Sequence, residues 1–414
     1  MRRFSIVAFI TLSGISTLLF SACEDPGFVG GNLLNEEADV VTNSIQPGSI
    51  EEVSRSAFTG NLRFMAMGHY NDPLYGEINS VAFLKPAINT SNVSTIGGED
   101  TMQLRLVLDS RVYGDSTSTA EFEIYRVDEF WRGNEIRFGD QISFDESQVV
   151  GQFSVAESDT ILVDLDKAWV SDYKDFLEMS DSNRDSLYRN NFFGLAIAAV
   201  SGSSKILFPR MRPSTEEENS DTEFVRFVVD NEDEEVERRY QTVLDWAMTL
   251  ERLDTPESQN SDTGSFKVHN YLDSFLEIDL GLTEEKLSSK NLANVELVFY
   301  KDRETERNSL PPGHTRPGVN RARIHIINDE RISDVIFNRS PGFISEEQTT
   351  DHSFRFDITD YANTVLFSTP PSGKLYLSVE SINGLLFSTI FHTGEGLEEY
   401  KPKILVTSVK QTGN

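Results

Sequence analysis

From residue 62 onward, apolar positions recur with a period of two in short runs broken by Gly, Pro, Asn, Asp and Ser. Leu104, Leu106 and Leu108 fall on one side of a strand, with Gln103 and Arg105 on the other. The alternation returns at Val295, Leu297 and Phe299, at Phe354, Phe356 and Ile358, and at Leu375, Leu377 and Val379. A period of two over half-buried runs is the strand signature, and roughly fourteen to sixteen such runs predict an all-β chain of antiparallel sandwiches. Helical spacing is scarce. It predicts helices over 170–179, where Val170, Tyr173, Phe176 and Leu177 share a face, over 283–287, and over 360–366 with Thr359 as a cap.

Polar stretches punctuate the pattern. Residues 213–221, with Glu216, Glu217 and Glu218, read as an exposed loop, and 231–237 as an acidic hairpin tip. Residues 254–264 are polar, contain Pro and Gly and lack large apolar side chains, as a linker does. The two sides of that linker share an order of elements. Each has an early strand pair, then an Asp-bearing strand leading into a helix, then another apolar strand. The expected organisation is two jelly-roll-like β-sandwich units, 57–253 and 265–414, joined by 254–264 and preceded by a flexible acidic tether over 23–56.

The first residues fix an address. Arg2 and Arg3 precede a mostly apolar run to Leu19, and Ser21-Ala22 stand directly before Cys23, the single cysteine of 414 residues. This is the layout of a cleaved leader over 1–22. A lone cysteine at the cut is what lipoprotein processing requires: its thiol takes a diacylglyceryl group and the freed amine is acylated. Two or more chains hold a protein stably to a membrane, so an acylated Cys23 is expected to be a lasting anchor. Glu24 and Asp25 follow it, and an acidic pair at that place resembles the signal that sends Bacteroidota lipoproteins to the outer face of the outer membrane, which makes the two residues candidate export signals.

Charge narrows the partners. The net charge of −30 becomes about −32 without Arg2 and Arg3, which excludes nucleic acid as a partner by phosphate repulsion. An apolar fraction of 38% is enough for a packed core, so disorder of the whole chain is excluded. With Cys23 acylated, no thiol remains for disulfides or thiolate metal sites.

His69-Tyr70-Asn71-Asp72-Pro73-Leu74-Tyr75-Gly76 resembles the "yNDPvYG" segment of Bacteroidota lipoproteins grouped as domain of unknown function 4270. Gly114-Asp115 between two early strands, the run from Phe192 to Ile197, the run from Asn291 to Leu297, and Lys401-Pro402-Lys403-Ile404 are similar to further segments of that family in the same order. The resemblance implies a mostly β lipoprotein of the outer membrane or cell surface and supplies no catalytic residue. In physical terms Asn71-Asp72-Pro73 with Gly76 is turn chemistry: Pro73 sets φ, Asp72 bonds to nearby backbone, and Gly76 accepts positive φ.

Catalytic spacing is not found. His69, His269, His314, His325, His352 and His392 lack metal-ligand spacing, and neither a G-x-S-x-G elbow nor a phosphate-binding loop occurs. Asp181, Asn183 and Asp185 alternate like the start of a calcium loop. Ser186 at the sixth position and Phe192 at the twelfth do not fit one, so a polar loop after a helix is expected. Trp131, Trp169 and Trp246 are core aromatics or sugar platforms, and Trp131, beside Phe130 and Arg132-Gly133, is the ligand-binding candidate. Neither a cofactor nor a metal is expected. The function expected is a non-enzymatic interaction or scaffold subunit working with an outer-membrane protein partner, with glycan binding as the alternative.

Overall fold

Alternation in the sequence becomes alternation of burial. Leu104 and Leu106 are fully buried while Arg105 between them is half-buried, and Val295 and Leu297 repeat this about the half-buried Glu296 in the second unit. The structure is a computed structural model describing residues 39–54, 58–88, 93–157, 159–212, 223–231, 238–252, 265–270, 274–287, 292–327, 342–367, 374–379, 384–394 and 397–410. The leader, Cys23, Glu24, Asp25, the loop 213–221, the acidic tip beyond Asn231 and the linker 254–264 lie outside the described residues.

Among the described residues the chain forms twenty-four strands. The first six are β1 (Asp39–Ile45), β2 (Ser49–Ser54), β3 (Met67–Asp72), β4 (Gly76–Pro86), β5 (Asp100–Val107) and β6 (Tyr113–Asp115). Next come β7 (Ala120–Val127), β8 (Phe144–Val155), β9 (Thr160–Asp164), β10 (Leu195–Ala199), β11 (Lys205–Leu207) and β12 (Arg226–Asn231). The second dozen opens with β13 (Arg239–Gln241), β14 (Val243–Arg252), β15 (Ser265–His269), β16 (Ser274–Asp279), β17 (Leu292–Tyr300) and β18 (His314–Thr315). It closes with β19 (Arg321–Ile327), β20 (Gly342–Glu346), β21 (Ser353–Asp357), β22 (Lys374–Val379), β23 (Ser388–His392) and β24 (Lys403–Lys410).

The pairing of these strands repeats with an offset of twelve. β5 pairs β9 and β12, and β17 pairs β21 and β24. β7 lies between β8 and β10 as β19 lies between β20 and β22. β4 pairs β10 as β16 pairs β22, and β3 pairs β11 as β15 pairs β23. β6 and β18 pair with each other, so that ladder maps onto itself. The match is incomplete at two places: β6 also pairs β11 and β3 also pairs β4, whereas among the described residues no ladder joins β18 to β23 or β15 to β16.

The first two strands of each half cross over. β13 pairs β12 and β14 pairs β4, whereas their counterparts β1 and β2 pair β24 and β16. The expected tether over 23–56 is therefore corrected for residues 39–54, which are strands of the second unit. Their apolar positions are few, and pairing to the edges of β24 and β16 through backbone groups holds them there, with Ile45 and Ile50 packed on the core.

Two sandwiches result. The first core joins Leu84, Phe122, Ile124 and Leu195 to Leu104, Leu106, Val163 and Phe227 across its two sheets. The second joins Leu297, Phe356 and Val406 to Ile278, Ile324 and Leu377, and it also takes in Tyr70, Tyr75, Tyr113, Met248 and Leu250 from the first unit. The units thus share a core.

The first helix spans Lys167–Leu177, where Asp166 accepts from the Ala168 and Trp169 amides and Trp169, Val170, Tyr173 and Leu177 are buried. Helices Glu284–Leu287 and Thr359–Phe367 occupy the other two expected places. Arg184–Asn191 is helical where a polar loop was expected, and Arg303–Ser309 is a further helix. In the former only Tyr188 is buried, too little for a helical period to show in sequence.

Two outcomes follow from this architecture. Deleting residues 39–54 strips ladders from β16 and β24 and uncovers the pocket of Ile45 and Ile50, so urea unfolding should lose at least about 2 kcal/mol. A loss below about 0.5 kcal/mol, the size of an ordinary surface effect, would contradict the crossing-over. The second outcome concerns acid. Burial, reinforced by Arg323 for His325 and by Arg252 and Lys267 for His269, pushes both imidazoles down to about 3 from 6.5. Between those values the unfolded chain takes up protons that the folded chain refuses, so stability falls as pH drops below 6.5. Each histidine should contribute a slope of about 1.4 kcal/mol per pH unit, read from urea midpoints between about pH 6.5 and 4.5. An unchanged slope in the His269→Gln, His325→Gln double variant would refute this.

Candidate functional site: the seam between the units

The segment from Asn71 to Gly76 is the turn between β3 and β4. Asp72 pairs with Gly76 in register, and Gly76 sits at φ 83°, the left-handed region that closes such a hairpin. Asp72 Oδ1 accepts from the amides of Leu74 (2.8 Å) and Tyr75 (3.0 Å). This much is local turn chemistry.

The same carboxylate also reaches the other half of the chain. Arg316, one residue past β18, donates Nε to Asp72 Oδ2 (2.6 Å) and Nη2 to Oδ1 (2.7 Å), a forked pair with side chains 7% and 0% exposed. Its remaining nitrogen, Nη1, donates to the Glu306 carbonyl and to Ser309 Oγ. Tyr113 donates its hydroxyl to Asp72 Oδ2 (2.9 Å), and the Arg316 guanidinium lies over the Tyr75 ring at 5.3 Å. Burial works against the Arg316 charge, but Asp72 outweighs it and holds the guanidinium pKa above its ordinary value.

Around this pair the seam is dense. His314 Nδ1 and the Tyr70 hydroxyl are 3.0 Å apart, and burial followed by the Asp72 charge pushes that hydroxyl up to about 12. Gly114 has φ 114°, and a Cβ there would meet Ser204 O at 2.6 Å and the Tyr70 ring at 2.8 Å, so this position takes glycine alone. Lys267 Nζ donates to Leu74 O, a third hold of the second half on the hairpin.

Beside the seam opens a cleft of about 670 Å³. Ser110, Arg111, Val112 and Ser116, flanking β6, form one side, and Thr315 to Gly318, Asn320 and Arg321, flanking β18, form the other, with Phe387 also lining it. Arg111 forks onto Asp109 through Nε (2.7 Å) and Nη2 (3.2 Å), and Arg210 Nη2 reaches the same carboxylate at 3.9 Å.

Trp131 is not in this cleft. It is 5% exposed, packs against Phe83 and Val127, and donates its indole N–H to the Phe193 carbonyl at 2.7 Å. The exposed ring face that a sugar platform needs is therefore absent at Trp131, because that ring fills a gap between sheet and connection. Trp169 and Trp246 are buried as well. Besides His314, three of the six histidines are engaged in structural pairs: His69 with Glu77, His325 with Ser378 and His352 with Glu347. Among the described residues no group of three His, Cys, Asp or Glu side chains is placed to hold a metal ion. Asp181 accepts from the Asn183 amide at the entry to the helix Arg184–Asn191.

No family model matches the chain, and no curated protein matches it. Among solved structures, the serine-rich repeat protein Srr2 of Streptococcus agalactiae aligns over 86% of this chain and 95% of its own, at 11% identity and a TM-score of 0.17. The collagen adhesin CNA of S. aureus aligns over 86% and 80%, at 7% identity and a TM-score of 0.14. Likeness at that level carries no argument, and the all-β sandwich fold is read from this chain's own ladders.

Arg316→Ala leaves the fully buried Asp72 without its counter-charge and should cost about 3–5 kcal/mol in urea unfolding. Arg316→Lys should recover only part of that, since an ammonium cannot fork onto both carboxylate oxygens. Equal stability of the lysine variant and the natural chain would show the fork to be unimportant.

Proposed function

We propose that this chain is a non-enzymatic interaction subunit of an outer-membrane assembly, anchored by lipid on Cys23 and carried to the cell surface with Glu24 and Asp25 as the export signal. The observation that carries the reading is the leader itself: two arginines, an apolar run and Ser21-Ala22 directly before a lone cysteine. The resemblance of His69 to Gly76 and the later segments to the Bacteroidota lipoproteins with domain of unknown function 4270 agrees with it.

The fold supports the role in two ways. Fifteen residues separate Cys23 from Asp39, where the paired body begins, so the body lies within about 55 Å of its anchor at full extension. Two sandwiches with a common core then present broad sheet faces as one body, which suits recognition by shape and charge. The anchor multiplies such recognition by confining both partners to one surface.

The test is recovery of partners from gently solubilised outer membranes. The full-length chain should bring down an integral membrane protein in near-equal amount. Cys23→Ala should move to the soluble fraction, lose that partner and keep its melting temperature. Equal partner recovery by the Cys23→Ala chain would sink the anchored-subunit reading.

A further inference from the structure

We propose that β1 and β2 form an exchangeable arm that pairs with β24 and β16 of a second copy, joining two chains into a reciprocal dimer. The inference stands on the ladders and is independent of the envelope-subunit reading.

The repeat is the first observation. β1–β2 and β13–β14 are equivalent pairs, and each leaves its own repeat to complete the other. The element is thus suited to closing sheets that a different stretch of sequence has built. Donor and acceptor need not belong to one chain, because exchange between two copies restores every contact of the arm.

The hold on the arm separates it from its counterpart. β14 buries five consecutive side chains, Trp246 to Leu250, and is locked into the first unit. No side chain from Val40 to Ser54 is fully buried, and Ile45 and Ile50 meet the core only in part. The arm is held by two backbone ladders, Asp39–Ile45 on β24 and Ser49–Ser54 on β16. Both acceptors become edges when it lifts, since among the described residues β24 keeps only β17 and β16 keeps only β22. Two open edges on one sandwich are a template for strands of matching register. The crossing between units is short as well. Ser54 ends β2 on the second unit, and Phe58, four positions later, bridges Arg137 in the first. A short crossing favours exchange, because it restricts the arm while it is bound in its own chain.

The edges fit this segment in particular. Thr42 and Thr407 place their Oγ1 atoms 3.0 Å apart, and Glu52 Oε1 accepts from the Lys267 amide at 2.6 Å. Between the ladders the Gly48 amide donates to the Asp279 carbonyl at 2.8 Å, and a Cβ at Gly48 would meet Gly281 Cα at 3.2 Å. A strand of other sequence would lose these contacts, so the occupant is the arm of a second copy.

Cysteine pairs read the exchange. In the full chain with Cys23→Ala, which holds no other thiol, one preparation carries Thr42→Cys and another Thr407→Cys. The two are mixed in equal amounts, unfolded in urea, refolded together and oxidised. A disulfide-linked dimer of the two should appear on a non-reducing gel. Val40→Cys mixed with Thr407→Cys, two residues out of register on the same face, should give about tenfold less. The Thr42→Cys, Thr407→Cys double variant should close within one chain in its monomer fraction, which checks that the pair oxidises. The Cys23→Ala chain alone, refolded at rising concentration, should show a growing dimer fraction by light scattering. A monomer at every concentration, absence of cross-chain linkage, equal linkage from the out-of-register pair, or a double variant that never closes would each overturn the proposal.

Discussion

A buried carboxylate, Asp72, with its guanidinium partner Arg316, is the constraint on which the rest of the molecule depends. Removing both charges from water costs several kcal/mol per ion, and attraction alone does not reliably repay it. Here the remaining valences are filled as well: Asp72 accepts from two amides of its own turn, from Tyr113 and twice from Arg316. The carboxylate therefore does local and long-range work at once. The bonds that close the β3–β4 hairpin also fix where β18 lies, 244 residues away in sequence.

That placement makes sense of the strand exchange. β1 and β2 complete the second unit while β13 and β14 complete the first, so neither half of the sequence closes its own sheets. The exchange is unequal in depth. β14 buries Trp246, Ala247, Met248 and Leu250, whereas β1 exposes Val40 and is held mainly by its backbone ladder to β24. Pairing of the first strand with the last is also the most non-local contact a chain can make. Loop closure of that length is costly before contacts repay it, which places β1 among the last elements to settle in folding.

How much of this was legible in the sequence depends on how each part is stabilised. Strands that bury one face announce themselves by alternation, as β5, β17, β21 and β22 do. Edge strands held by backbone do not, and β1 and β2 have the pattern of a tether because Val40, Val41, Ile45 and Ile50 make no regular run. At the site, Asp72, Pro73 and Gly76 were legible as a turn because turn chemistry is local. Arg316, in His-Thr-Arg-Pro-Gly, carried no signal, since its role depends on a carboxylate that only the fold brings near. The Gly114-Asp115 pair was visible as a motif, but its reason, the close approach of Tyr70, was not. Trp131 shows the converse: a sequence neighbourhood of Arg and Gly suggested solvent, and the Phe193 carbonyl instead gives its N–H a buried partner.

The cleft is a consequence of the seam, not an independent feature. β6 and β18 are each two or three residues long, so their flanking segments diverge at once and leave space between Ser110–Val112 and Thr315–Arg321. Its basic lining is compatible with an acidic body because the two act over different distances. At physiological ionic strength the field of the surface carboxylates is screened beyond about 8 Å, while a guanidinium in contact with its carboxylate is hardly screened at all.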